Sequence, residues 1–168
     1  MAKKTLIVID MQYDFVYGAL GTAEAQAIIP NVKAKIEEYR KNGNQVIFTR
    51  DTHDEEYLKT NEGKNLPVEH CIRGTKGWEV IDGLELKDSV CIDKENRFGW
   101  PHWDRFELEE AELIGVCTDI CVVSNALIIK ALFPEIVVSV DSACCAGVTP
   151  RSHKAALETM KMCHVQVF

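Results

Sequence analysis

Short apolar runs alternate with segments of helical character along most of the chain. Nearly continuous apolar runs occupy residues 5–9, 44–50, 89–93, 112–116, 135–140 and 164–168. Strands that are apolar on both faces are typical of parallel sheets, because such sheets are covered on both sides. The pattern therefore predicts six buried strands.

The segments between these runs carry helix signals. Pro30 suits the first turn of one helix and Gly43 its end, while Thr149 and Pro150 open another. Residues 119–133 are apolar nearly all round, which predicts a deeply buried helix. The alternation predicts an α/β fold, a doubly wound and mainly parallel six-stranded sheet with helices on both faces in three layers. The 168 residues suit a single domain over 1–168.

One long segment breaks the alternation. Residues 52–87 hold few apolar runs and several glycines. Long irregular connections in compact domains are commonly functional. We therefore expect this excursion to carry residues of the site.

Composition narrows the function classes. The net charge of −7 and the scattered Lys and Arg argue against nucleic acid as a partner. Seven cysteines lie in apolar segments rather than at framework spacings, which favours reduced thiols and a cytoplasmic location. No apolar run reaches membrane-spanning length, and no signal peptide, P-loop or dinucleotide-binding glycine motif is present.

Reactive side chains follow each of the first four predicted strands. Asp10 ends the first, Asp51 and His53 end the second, Asp93 and Lys94 end the third, and CTDIC, residues 117–121, follows the fourth. Ligand sites in open α/β sheets lie at the carboxyl ends of the strands. Asp is also common at strand ends for structural reasons, but a carboxylate, an amine and a thiol at one rim predict a site.

Cys121 is the candidate nucleophile at this rim. It lies just inside the helix predicted after the fourth strand, with Thr118 or Asp119 as the expected N-cap. A helix N-terminus or a nearby ammonium favours the reactive thiolate. Asp10 follows five apolar residues, and a buried carboxylate needs a partner, for which Lys94 is the candidate. A buried structural Cys and a solvated Lys are the alternatives.

A second group of polar residues begins at the end of the second strand. Asp51 and His53 are two residues apart, so both point to one face of an extended segment. Glu62 and His70 follow on the excursion. Two imidazoles with two carboxylates suit one divalent ion such as Zn²⁺, Mn²⁺ or Fe²⁺. The alternative is four solvated loop residues.

Together these residues resemble the isochorismatase-like cysteine hydrolases, and within them the nicotinamidase branch. The motifs that carry the resemblance are VIDMQYDF, TRDTH, LPVEHCIRGT, the DK at the third strand and GVCTDICV. The resemblance implies that Asp10, Lys94 and Cys121 form a catalytic triad. It also implies a metal site at Asp51, His53, Glu62 and His70.

The same resemblance implies details of the substrate pocket. The peptide bond from Val116 to Cys117 would be cis, and the N–H groups of Cys117 and Cys121 would form an oxyanion hole. Phe15 would pack on the substrate ring. Two positions depart from the family: Leu66 stands where an aromatic residue is usual, and Phe98 follows Lys94 by four residues instead of three.

The implied activity is hydrolysis of nicotinamide, or a similar small heteroaromatic carboxamide, to the acid and ammonia through a thioester. The implied assembly is a homo-oligomer. Three alternatives remain. They are a hydrolase of the same superfamily acting on a vinyl ether or carbamoyl group, a flavodoxin-like electron carrier, and a catalytically silent interaction protein. The two acids in DMQYDF argue against the flavin carrier, because they would repel its phosphate.

Overall fold

A parallel six-stranded sheet forms the centre of the molecule. In the computed structural model, which describes residues 3–168, the spatial order of the strands is β3-β2-β1-β4-β5-β6, and every neighbouring pair is parallel. The strands are β1 (Lys4–Ile9), β2 (Gln45–Thr52), β3 (Val90–Glu95), β4 (Glu110–Val116), β5 (Val137–Ala146) and β6 (Gln166–Val167). The predicted doubly wound sheet is confirmed. β5 continues six residues beyond its predicted end, and β6 is shorter than predicted.

Helices cover both faces of this sheet. The α-helices of the described residues are α1 (Tyr13–Val16), α2 (Ala23–Ala27), α3 (Ile29–Lys41), α4 (Asn61–Asn65), α5 (Val123–Leu132) and α6 (Pro150–Met162), of which α4 lies in the connection between β2 and β3. Leu6 and Val8 of β1 pack in the core with α1, α2 and α3, whereas Ile7 and Ile9 pack in a second core with α5 and α6. Alternate side chains of a strand point to opposite faces, so a continuous apolar strand serves both cores.

The helix predicted over residues 119–133 differs from the observed element. Thr118–Val122 forms a π-helical turn, and only then does α5 begin. The prediction that this helix is deeply buried on all sides was wrong. Asn125, Ala126 and Ile129 are buried, but Leu132 is exposed. Most of its other side chains are partly buried, and only Ala131 and Leu132 near its end are exposed.

The connection between β2 and β3 is irregular, as predicted. It holds the short helix α4 and two single turns of 3₁₀ helix, Tyr57–Lys59 and Lys76–Trp78. Within residues 3–168, no helix combines the length and the apolar character needed to cross a membrane.

The chain changes direction across the sheet between β1 and β4. The strands that follow β1 are added on one side of it as far as β3, and the later strands on the other. In open α/β sheets a crevice forms at the carboxyl ends of the two strands where this reversal occurs. The sequence CTDIC follows β4, and Asp10 follows β1, so both lie at that crevice.

Candidate active site

Asp10 lies at the carboxyl end of β1, buried below the crevice. Its φ of 47° places it in the left-handed region, which Asp tolerates better than most residues. The hydroxyl of Thr49 donates to Asp10 Oδ1 at 2.6 Å, and the Asp10 N–H donates to the Thr49 carbonyl at 3.2 Å. Both contacts come from β2, so the sheet itself orients the carboxyl group.

Lys94 lies on β3 and is completely buried. Its Nζ lies 2.7 Å from Asp10 Oδ2 and donates to the carbonyls of Arg97 at 3.2 Å and Phe98 at 2.9 Å. Long cationic side chains are almost never buried unless they are paired. The sequence-based alternative, a solvated loop lysine, was therefore wrong.

Cys121 lies in the π-helical turn that follows β4. Gly115 allows β4 to approach β1 closely, because a Cβ there would lie 2.1 Å from the Ile9 carbonyl oxygen. The peptide bond between Val116 and Cys117 is cis. The N–H groups of Ile120 and Val122 both donate to the Cys117 carbonyl, which closes the turn around Cys121.

Neither residue expected to cap this turn does so. No side chain caps it, and Cys117 occupies the N-cap position. Thr118 Oγ1 instead lies 2.8 Å from His153 Nδ1 on α6, and Asp119 accepts the N–H of Val148 at 3.1 Å. These side chains join the turn to α6 and to the loop that precedes it, contacts that the local sequence did not indicate.

Burial has the largest effect on the pKa values of Asp10 and Cys121. It raises the pKa of the Cys121 thiol well above its usual value; a hydrogen bond to Asp10 acts in the same direction, and only Lys94 lowers it. Burial also raises the pKa of Asp10, although Lys94 opposes this. The resting thiol is therefore neutral, whereas the sequence favoured a thiolate. The carboxylate beside it is more basic than an ordinary Asp.

Asn125 connects the π-helical turn that holds Cys121 to Lys94, and the sequence did not single it out. Its amide donates to the carbonyls of Cys121 at 2.8 Å and Phe98 at 3.2 Å, and the latter also accepts from Lys94. Its Oδ1 accepts from the Trp100 N–H at 2.9 Å and from the Trp103 indole at 3.1 Å. Asn125 is fully buried with both ends of its amide satisfied.

The second predicted group also converges. Asp51, His53, Glu62 and His70 each offer one ligand atom, and these atoms lie within 4.8 Å of one another. Asp51 Oδ2 lies 3.1 Å from His53 Nε2 and 3.4 Å from His70 Nε2. Glu62 Oε1 lies 3.8 Å from each of the same two nitrogens. The alternative of four solvated loop residues does not fit this geometry.

Two features of this group fit a bound cation. Asn96 Oδ1 lies 2.9 Å from His53 Nδ1, and the Val68 carbonyl lies 2.8 Å from His70 Nδ1. These acceptors favour the proton on Nδ1 and leave the Nε2 lone pairs directed into the group, as in metal-ligating histidines. Asp51 Oδ1 is buried without a hydrogen-bond partner, which is costly unless a cation satisfies it.

Polar contacts bring the excursion to the rim of the sheet. The Gln12 amide donates to the carbonyls of Asp51 and Trp78, and its oxygen accepts the Asp51 N–H at 2.7 Å. Asp14 accepts the N–H of Cys71, next to His70. Gln12 and Asp14 belong to VIDMQYDF, so the motif had indicated their region but not their role.

A cavity of about 830 Å³ opens above these residues. Cys117 and Cys121 line it, and so do Asp51, Glu62 and His70. The two residues predicted to contact substrate, Phe15 and Leu66, also line it. Phe15 packs against His70 with ring centroids 5.5 Å apart. A small molecule in the cavity can therefore contact the thiol and the His/Asp/Glu group together.

Over nearly its whole length the chain is similar to proteins of one family. A family model described as the isochorismatase domain matches residues 4–168. PncA of Bacillus subtilis (strain 168), an uncharacterized isochorismatase family protein, is 32% identical over 142 residues, covering 74% of this chain and 77% of that protein. A probable inactive nicotinamidase of Arabidopsis thaliana is 28% identical over 172 residues, covering 93% and 87%.

The fold is also similar to solved structures. The pyrazinamidase of Pyrococcus horikoshii, solved in complex with zinc, superposes with a TM-score of 0.83 at 29% sequence identity. The superposition covers 99% of this chain and 98% of that one. The similarity therefore includes the excursion as well as the sheet.

Proposed function

Because this chain belongs to the isochorismatase family of hydrolases, we propose that it is a cysteine-dependent amidase acting on nicotinamide or a similar small heteroaromatic carboxamide. The observation that carries the proposal is the convergence of Asp10, Lys94 and Cys121 beside one cavity. A thiol, a base of raised pKa and a buried cation are the groups that acyl transfer through a covalent intermediate requires.

In the first half of the proposed reaction, Asp10 removes the proton of Cys121 as the sulfur attacks the amide carbonyl. Burial raises the pKa of both groups, so the proton moves between them at the moment of attack. Backbone N–H groups of Cys117 and Cys121 stabilise the oxyanion, a contribution of about 2.7–4 kcal/mol per donor. Asp10 then returns the proton to the leaving nitrogen, and ammonia departs from the thioester.

In the second half, Asp10 accepts a proton from water as the water attacks the thioester carbonyl. The carboxylic acid is released, and the Cys121 sulfur regains a proton from Asp10. Lys94 remains paired with Asp10 throughout, since its Nζ is held by two carbonyls as well. Its charge compensates the negative charge that passes between Asp10 and Cys121.

Asp51, His53, Glu62 and His70 would hold one divalent ion, with Zn, Mn and Fe as the candidates. Such an ion would supply a Lewis acid for the lone pair of a ring nitrogen and so help to orient the carboxamide. The orphaned oxygen of Asp51 and the two Nε2 atoms support this assignment.

The charges in the cavity wall help to distinguish the proposed amidase from the alternative hydrolases of the superfamily. Isochorismate carries two carboxylates, and an acidic substrate needs compensating cations. Among the described residues that line the cavity, Arg97 supplies the one ammonium or guanidinium group. This charge distribution supports a neutral amide as the substrate.

The location and assembly of the enzyme are further parts of the proposal. All seven cysteines are free, which supports a reducing compartment such as the cytoplasm. Homo-oligomerisation stays a prediction that light scattering would test.

Ammonia release tests the proposed function. Metal-loaded protein should release ammonia from nicotinamide and pyrazinamide much faster than from aliphatic amides, and prior treatment with a chelator should lower that rate. Equal rates on aliphatic amides would contradict the role of the ring. The absence of ammonia from every amide would favour the silent interaction protein.

A further inference from the structure

The cavity above Cys121 is much larger than nicotinamide. Nicotinamide is one six-membered ring with one carboxamide, whereas the cavity measures about 830 Å³. This volume lies in the upper part of the range of roughly 300–1,000 Å³ found for pockets of drug-sized ligands. With the carboxamide carbon at Cys121 and the ring beside Phe15, most of the cavity remains free.

The free part of the cavity has an apolar rim. Leu66, Phe98 and Val148 line it and are 36%, 46% and 52% exposed. They come from three separate segments, which follow α4, β3 and β5. Single exposed apolar side chains are ordinary on a protein surface, but several grouped at one cavity mouth are typical of a ligand-binding groove.

The two departures from the family pattern fall on this rim. Leu66 stands where the family pattern has an aromatic residue, and it lines the cavity beyond α4. Phe98 is displaced by one residue from the expected position, and it lines the cavity while 46% exposed. Both positions place an apolar side chain at the rim.

Polar groups in the outer cavity are mostly uncharged. Thr22, Asn61 and Asn65 lie among the lining residues, and Arg97 is the cation there. Apolar atoms make up most of the wall. An apolar substituent on the substrate would therefore displace water mainly from apolar surface and would desolvate few charged groups.

We propose that the preferred substrates are aromatic carboxamides that carry a bulky apolar substituent on the ring, with the substituent held between Leu66, Phe98 and Val148. This inference rests on the proposed amidase function and names the substrate class of the same site. The reaction is unchanged: water is consumed, the amide C–N bond breaks, and ammonia and the substituted acid are released.

A substrate series tests the preference on the metal-loaded enzyme. The series comprises nicotinamide, nicotinamides bearing a phenyl group at ring position 4, 5 or 6, and the 5-carboxy derivative as the charged control. At least one phenyl compound should show kcat/KM about ten-fold or more above nicotinamide, mainly through a lower KM. The inference is overturned if nicotinamide exceeds all three phenyl compounds, or if the carboxy compound is preferred to them.

A variant pair tests the position of the substituent. Leu66→Trp narrows the mouth and should lower kcat/KM for the best phenyl compound at least about ten-fold more than for nicotinamide. Leu58→Trp is the matched control, because Leu58 lies on the same excursion, is 48% exposed and is outside the cavity wall. It should change neither rate. An equal effect of Leu66→Trp on both substrates would place the substituent elsewhere and overturn the assignment.

Binding separates this inference from the proposed function. Calorimetry on metal-loaded Cys121→Ala should show at least about ten-fold tighter binding of the best phenyl compound than of nicotinamide. Tighter binding without ammonia release by the wild-type protein would support the cavity assignment and refute the amidase. Ammonia release from nicotinamide without any preference in binding or turnover would refute the cavity assignment and keep the amidase.

Discussion

The sheet and the excursion between β2 and β3 hold their polar side chains in place by different means. Asp10 and Lys94 are fully buried at strand ends, between two apolar cores that lie on opposite faces of the sheet. Glu62 and His70 stand on an irregular segment in which few residues are buried. The sheet thus fixes its polar groups through strand register and packing.

The excursion depends on individual contacts. The Gln12 amide, the Asp14 carboxylate and the stacking of Arg50 on Trp78, 3.6 Å from the ring centroid, join it to the sheet. Tyr57 packs against both metal-group histidines, with centroids 4.6 and 4.9 Å apart. Segments with few apolar contacts open at lower free energy than core strands. The difference teaches that Asp10, Lys94 and Cys121 are held by the core of the fold, whereas the group Asp51, His53, Glu62 and His70 depends partly on a segment that a bound ion would help to order.

The largest effect is expected at the sheet. Cys121→Ala should lower amide turnover by on the order of 10⁴–10⁶-fold, because it removes the thiol that both lines the cavity and is hydrogen-bonded to Asp10. The midpoint of urea unfolding should stay close to wild type. Cys163→Ala, at an exposed cysteine, is the matched control and should keep full turnover. Comparable turnover by Cys121→Ala would refute the mechanism.

The next effect concerns the excursion. His53→Ala combined with His70→Ala should remove one equivalent of bound metal and lower nicotinamide turnover by about 100-fold or more. Hydrogen exchange should quicken across the excursion and stay unchanged in β1 and β4. Elemental analysis measures the metal, and mass spectrometry the exchange. Equal metal content in variant and wild type would contradict the metal site. Faster hydrogen exchange throughout the chain would contradict the claim that only the excursion depends on the ion.

Lys94→Met tests whether the sheet tolerates loss of its buried charge. Removing one partner of a buried ion pair costs about 3–5 kcal/mol in the free energy of unfolding, because the other charge is left uncompensated. A nearby ammonium favours the thiolate, so Lys94→Met should lower thiol reactivity, and the full burial of Lys94 predicts an effect on stability as well. Urea unfolding measures it. The double variant Asp10→Asn, Lys94→Met should recover part of the lost free energy of unfolding, because no unpaired charge remains. If it recovers none, the loss in Lys94→Met comes from packing and not from charge.

The smallest effect concerns His153, which contacts Thr118 in the π-helical turn that holds Cys121. Burial lowers its pKa from 6.5, and Lys154 acts in the same direction, while Asp119 opposes both. A lowered histidine pKa means that the unfolded chain binds more protons, so this contribution to stability is present above about pH 6.5 and is lost as the pH falls. Between about pH 7.5 and pH 5, the Tm of wild type should fall more than that of His153→Gln. Parallel curves would contradict the argument.

Features that depend on residues close together in the chain were predictable from the sequence. Six apolar runs located the strands, since a strand buried on both faces is apolar throughout. Asp10, Asp51 and Lys94 stood at the ends of such runs, and parallel strands bring their carboxyl ends to one rim. The spacing of Asp51 and His53 placed both on one face. These inferences use only the period of a strand and the geometry of a parallel sheet.

Other features arise from residues far apart in the chain, and no local pattern encodes them. The burial of Lys94, the contacts of Asn125 with both Phe98 and Cys121, and the anchoring of the excursion by Gln12 all join distant segments. An apolar helix likewise cannot show by its sequence which of its apolar residues stay exposed, as Leu132 of α5 does. The sequence determined which groups reach the rim. The tertiary structure decided their partners and their protonation, because both depend on burial that only the packed molecule creates.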